Sequence, residues 1–118
     1  MPGRFRNRFC VVVAAGFVLA APAHAATPQK VTVRMTEYRF KLSVTHVHKG
    51  VVVFTILNKG QIPHTFSIRS LDVVSALVQK GKKTTMRVTF KKPGLYYYLC
   101  TVGAHEQYGM FGNLRVTK

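Results

Sequence analysis

Along most of the chain apolar and polar residues alternate with a period of two. Val31, Val33 and Met35 are interleaved with Thr32, Arg34 and Thr36, and Phe40, Leu42 and Val44 with Lys41, Ser43 and Thr45. That is the pattern of a strand with one buried face. Residues 51–57 are apolar on both faces and rich in β-branched and aromatic side chains, which predicts a central strand. Residues 65–69 predict a short strand with His64, Phe66 and Ile68 on one face, while 71–79 allow either a short helix or a loop lying on the core. Alternation returns in 84–90, and 95–100 and 114–117 complete the set. Lys49-Gly50, Asn58-Lys59-Gly60 and Pro93-Gly94 supply turns between these runs. About seven to eight strands with at most one short helix predict an all-β, Greek-key antiparallel sandwich. No internal repeat or low-complexity tract interrupts it.

The first quarter departs from this pattern. Arg4, Arg6 and Arg8 precede an almost wholly apolar run over 9–21, and Ala23-His24-Ala25 offers a small-residue cleavage site. These three parts predict a secretory signal peptide over 1–25 and place the protein in the periplasm or otherwise outside the cytoplasm. The apolar run is shorter than the roughly 18 residues of a membrane span. No adjacent arginine pair suggests twin-arginine export, and Cys10 stands before the apolar run, where it does not suit lipid attachment. Residues 26–118 suit one domain with one core. They hold a single cysteine, Cys100, so no internal disulfide can form. A lone thiol in an oxidising compartment is a liability unless something occupies it, and a metal would.

Removing the three leader arginines takes the formal charge from +15 to +12, and all three acids, Glu37, Asp72 and Glu106, remain. Such a surface attracts anionic partners, foremost a redox protein with an acidic docking face and more weakly an anionic membrane surface. No nucleic-acid motif is present, and an export signal argues against that partner.

Cys100, His105 and Met110 follow one another at five-residue intervals in a segment containing Gly103 and Gly109, and His64 lies upstream beside Pro63. Singly each has a bland explanation: a carbonyl-bonded histidine, a core methionine, a cysteine acting as a small hydrophobe. Together, thiolate, thioether and two imidazoles are donors that hold copper in both of its oxidation states. His46 and His48 would share a face in an extended strand, a pattern that fits two solvated side chains better than a second metal site. The Tyr96-Tyr97-Tyr98 run fits strand packing better than an electron relay.

One upstream histidine followed by C-x4-H-x4-M resembles the cupredoxins, the superfamily of small blue-copper proteins that includes plastocyanin and azurin. The flanking text adds to the likeness: Met35-Thr36-Glu37-Tyr38-Arg39-Phe40, Asn58-Lys59-Gly60-Gln61-Ile62-Pro63-His64, and Lys92-Pro93-Gly94-Leu95-Tyr96-Tyr97-Tyr98-Leu99-Cys100. The resemblance spans about 31–116. One departure is Val102-Gly103-Ala104-His105, where many relatives have Val-Pro-Gly-His; losing that proline loosens the expected loop. The resemblance implies one copper bound by His64, Cys100 and His105 in a trigonal plane, with Met110 as a weaker axial ligand. It implies that Thr65 ties the two ligand segments together, and that Ile62, Pro63, Ala104, Tyr108 and Phe111 form an apolar collar near His105. The function implied is that of a type 1 copper protein carrying single electrons as a monomer, with copper buffering or delivery as the alternative. An enzyme is not expected, because no ligands remain for a second copper centre and only one cysteine is left for a binuclear one.

Overall fold

The alternating run at the start of the domain becomes β1 (Gln29–Thr36), with Val31, Val33 and Met35 buried and Arg34 and Thr36 outside. The computed structural model describes Gly3, residues 11–20 and residues 26–118. β1 pairs antiparallel with β2 (Arg39–Leu42) and parallel with β4 (Gly50–Asn58), which pairs antiparallel with β7 (Lys83–Phe90). The resulting order is β2-β1-β4-β7. A second sheet has the order β3-β9-β8-β5-β6, from β3 (His46–His48), β5 (Ser67–Ile68), β6 (Val73–Val74), β8 (Gly94–Leu99) and β9 (Phe111–Thr117). β3 runs parallel to β9 along that sheet's edge.

The inward faces of the two sheets meet in one core. Phe54, Phe66 and Phe90 are fully buried, and Phe66 is packed by Phe40, Phe54 and Tyr98 with ring centroids 5.2 to 5.5 Å apart. Edge-on and tilted contacts of this kind add to what area burial alone contributes.

The all-β sandwich matches the expectation; its details differ in three places. The run expected to be one strand through Thr45 ends as a strand at Leu42. β2 belongs to the first sheet and β3 to the second, and the chain crosses between them at Ser43–Thr45, tied by Ser43 N–H to Thr32 O (2.9 Å) and Arg115 N–H to Thr45 O (3.3 Å). Residue type does not mark the crossing: the sequence keeps alternating through Val44 and Thr45, while in the structure Ser43, Val44 and Thr45 are all exposed. Residues 71–79 hold the end of a 3-10 turn (Arg69–Leu71), the two-residue β6 and an extended stretch. Two pairings are parallel, where an antiparallel sandwich was expected. With its very short members the fold has nine strands among the described residues.

The arginine cluster of the expected leader and its Ala23-His24-Ala25 site lie outside the described residues. Residues 11–20 are exposed and without regular secondary structure. Among the described residues no helix is long and apolar enough to cross a membrane.

Phe54 is wholly buried between Phe66 and Phe90. Phe54→Ala is therefore expected to cost about 3–5 kcal/mol of folding stability in urea titrations, the range for emptying an aromatic core site. A loss below about 1 kcal/mol would show that these rings do not organise the core.

Candidate metal centre

His64 is delivered by a loop wound around one buried amide. Asn58, at the end of β4, donates from Nδ2 to the carbonyls of Ile62 (2.8 Å) and Val78 (2.9 Å), and its Oδ1 accepts the Gly60 N–H (2.9 Å). With its donors and acceptor satisfied, a 1% exposed asparagine is a structural pin for residues 58–63. His64 itself exchanges two backbone hydrogen bonds with Val78 (3.1 and 2.9 Å) and is fully buried.

The β1–β2 turn reaches across to this loop. Glu37 accepts hydrogen bonds from the backbone N–H groups of Gln61 (2.7 Å) and Ile62 (3.0 Å), and its Oε1 lies 3.1 Å from His64 Nε2. A β-carbon at Gly60 would collide with this carboxylate, so the approach requires glycine there. Those backbone donors, Ile62 first and Gln61 next, hold the Glu37 carboxyl at about 2, against its usual 4.5. A carboxylate only accepts, so the geometry assigns the imidazole hydrogen to Nε2. That leaves the Nδ1 lone pair of His64 facing inward.

Cys100 follows β8 directly, and Thr65 connects it to the His64 segment. Thr65 N–H points at Cys100 Sγ (3.5 Å), and Thr65 Oγ1 lies 2.7 Å from Thr101 Oγ1 and accepts the Thr101 N–H (2.8 Å). Between Cys100 and Met110 the chain forms successive turns: His105 N–H to Val102 O, Tyr108 N–H to His105 O, Gly109 N–H to Glu106 O. Gly109, at φ +106°, permits the reversal that lets Met110 bond back to His105 O (3.0 Å) while Met110 O accepts the Cys100 N–H (3.1 Å). These bonds close the loop without a proline. Outside it, Glu106 accepts from Arg69 (2.6 Å) and from the Tyr97 hydroxyl (2.9 Å).

The two segments converge. His64 Nδ1 and His105 Nδ1 are 3.2 Å apart, and Cys100 Sγ lies 3.5 Å from His105 Nδ1 and 3.9 Å from His64 Nδ1. All three residues are buried, and their ligand atoms fall within 4.8 Å of one another. Among the described residues this is the single group of three such donors. Burial, then the neighbouring His64, lowers the His105 pKa and so favours the neutral ring that a metal needs. Met110 is fully buried, with its backbone pinned to both Cys100 and His105. His46 and His48 sit exposed on edge strand β3, with His48 Nδ1 2.9 Å from Thr117 Oγ1.

The cupredoxin-like domain family matches residues 9–114. The chain belongs to that family. Two imidazole nitrogens and one thiol sulfur at these separations fit one copper ion in this cupredoxin, as a borderline-soft donor set should. Among curated proteins it is similar to a multicopper oxidase of Staphylococcus aureus, 33% identical over 73 residues; the match covers 62% of this chain and 16% of the oxidase. The chain therefore corresponds to a small part of that protein. Among solved structures it is similar to a dithionite-reduced auracyanin from Roseiflexus castenholzii (TM-score 0.64, 16% identity, 79% of this chain and 100% of that one). It is also similar to an auracyanin B (TM-score 0.64, 22% identity, 80% and 94%). At those identities the auracyanins speak for the fold.

Three residues around the site have roles that pattern reading did not assign. Tyr38 packs edge-on against His105 at 4.9 Å and against Tyr108 at the same distance, while Tyr108 is 63% exposed. Glu37 and Asn58 stood in the flanking text of the family likeness, Glu37 also as a rare acid and Asn58 as a turn residue, with no role at the site assigned to either.

Glu37 also sets an acid dependence. Its folded-state value lies below the unfolded one, so its stabilising contribution is present above about pH 4.5 and is lost as pH falls toward 2. In Glu37→Gln the metal-free protein should lose less stability over that interval than wild type, as read by chemical denaturation at each pH. Parallel curves would refute the pairing.

Proposed function

We propose that this protein carries single electrons through one copper ion held by His64, Cys100 and His105, with Met110 as a weaker fourth ligand. The observation that supports this most is the meeting of two Nδ1 atoms and one Sγ inside a buried, hydrogen-bonded frame. Copper bound there supplies a Cu(I)/Cu(II) couple, sulfur favouring the first state and imidazole the second. The chain's own contribution is to keep the donors from moving. Glu37 fixes the ring orientation of His64, the turns of the 100–110 loop fix His105, and Thr65 N–H is aimed at the sulfur. A site already arranged for both charge states needs little reorganisation when an electron arrives.

Delivery of copper as cargo would use the same donors. The carrier reading is favoured because the donors are enclosed: His64 is 0% and Cys100 1% exposed, which suits an ion that stays while electrons pass. Tyr38 and the exposed Tyr108 stand between His105 and solvent, a short covered route for exchange. We read the protein as a carrier and not an enzyme, since one donor cluster suits one-electron traffic. We also infer export, on the strength of the basic, apolar and Ala-x-Ala segments of residues 1–25.

Adding Cu(II) to the protein should give an intense sulfur-to-copper absorption band with narrow hyperfine splitting in electron paramagnetic resonance. Cys100→Ala should abolish the band, and Met110→Ala should mainly shift it. Reversible reduction with fast self-exchange supports the carrier; slow exchange with ready loss of copper to a chelator supports delivery instead. A colourless copper complex would overturn both ligand set and function.

A further inference from the structure

The outer face of the four-stranded sheet carries charge of one sign. Strand register sets Arg34 beside Lys41 and Thr36 beside Arg39. It sets Lys83 beside Leu57 and Arg87 beside Val53. The residues alternating with these on β1 are buried, so the cations project outward, and all are exposed. Two grooves indent this side. One, of about 480 Å³, is lined by Arg34, Thr36, Arg39, Phe40, Lys41 and Lys59. The other, of about 500 Å³, is lined by Lys59, Lys82 and Lys83 with Leu57, Asn58 and Gly81. Lys59 belongs to both, so the grooves adjoin, and it lies in the loop that leads to His64. Among the described residues the ion pairs are His64–Glu37 and Arg69–Glu106. Asp72 directly follows the 3-10 turn, between β5 and β6 of the other sheet. The groove cations are thus left without a carboxylate.

We propose that the adjoining grooves are the docking surface for an acidic segment of a partner protein, whose carboxylates seat on Arg34, Arg39, Lys41, Lys59, Lys82 and Lys83. This rests on the carrier reading and names where the partner sits. Concavity favours a protein segment over a membrane: protruding acidic side chains fill grooves, whereas a lipid surface meets convex positions first. Arginine forks suit carboxylates in paired hydrogen bonds. Position supplies the reason for docking there. Arg39 follows Tyr38 in the same turn, and Tyr38 packs on His105, so a segment held in the first groove lies against the hairpin that covers the metal-facing histidine.

The test uses the full domain, metal-free, with a hexaglutamate peptide blocked at both ends as the probe, followed by backbone amide NMR. Shifts are expected at residues 34–41, 59 and 82–83, with binding weakened at roughly 0.15 M salt, where charges are screened beyond about 8 Å. Arg34→Glu, Arg39→Glu and Lys41→Glu together should lower affinity by about tenfold or more. The control of equal charge change, Lys91→Glu with Lys92→Glu and Lys118→Glu, should lower it far less. Equal losses in both triple variants would overturn the proposal, because net charge alone would then explain binding. Binding to phosphatidylglycerol/phosphatidylcholine vesicles that the groove triple removes, with no peptide binding, would also overturn it in favour of a lipid surface. None of these readouts uses electron transfer. Failure of the carrier reading would appear separately, as loss of the copper band with peptide binding intact.

Discussion

Thr65 is the joint on which the site depends. His64 belongs to the loop after β4, and Cys100 directly follows β8; they stand 36 residues apart in the chain. Thr65 reaches the sulfur with its N–H and Thr101 with its hydroxyl, so two segments with separate hydrogen-bond ladders hold one relative position. Neutral contacts of this kind contribute about 1 kcal/mol each, yet their geometric effect exceeds their energy, because together they fix the sulfur and the Thr101 backbone to one residue. The 100–110 loop then needs only local bonds to bring His105 onto the same point.

Electrostatics divide the molecule sharply. Glu37 and Glu106, two of the three acids of the chain, lie beside the site, one against His64 and the other following His105. Of the cations, Arg69 joins Glu106 there, while Arg34, Arg39, Lys41, Lys83 and Arg87 stand on the outer face of the four-stranded sheet. Glu37 is anchored by two backbone N–H groups before it meets the imidazole, so its orientation does not depend on the histidine it serves. A carboxylate behind a metal-facing imidazole raises the basicity of the ring, which favours the more highly charged state of a bound ion.

Much of this was legible in the amino-acid order. Period-two alternation located β1 and β7, because one buried face leaves a direct trace in residue type, and the run of 51–57, apolar on both faces, located β4 as a central strand. The spacing of Cys100, His105 and Met110 pointed to a turning loop, and His64 was marked by Pro63 and by the strand-like stretch that follows. Thr65 was expected to join the segments, and it does. What stayed hidden was tertiary in origin. Glu37 and Tyr38 act on histidines far along the chain, and nothing in their own neighbourhood announces it. Asn58 looks like an ordinary turn former because its carbonyl partners, Ile62 and Val78, are defined only after folding. The crossing at Ser43–Thr45 was invisible for the same reason.

Burial of Cys100 also shapes how the protein is made. In the folded domain the thiol is 1% exposed and surrounded by Thr65, His64 and His105, so an oxidant has little access to it. Before the sheets close, the same sulfur is open to disulfide exchange with any other chain. Closure waits on distant pairings such as β1 with β4, which form slowly compared with hairpins. The hazardous interval for this cysteine is therefore the folding time itself, and anything that shortens that interval protects the site before any metal reaches it.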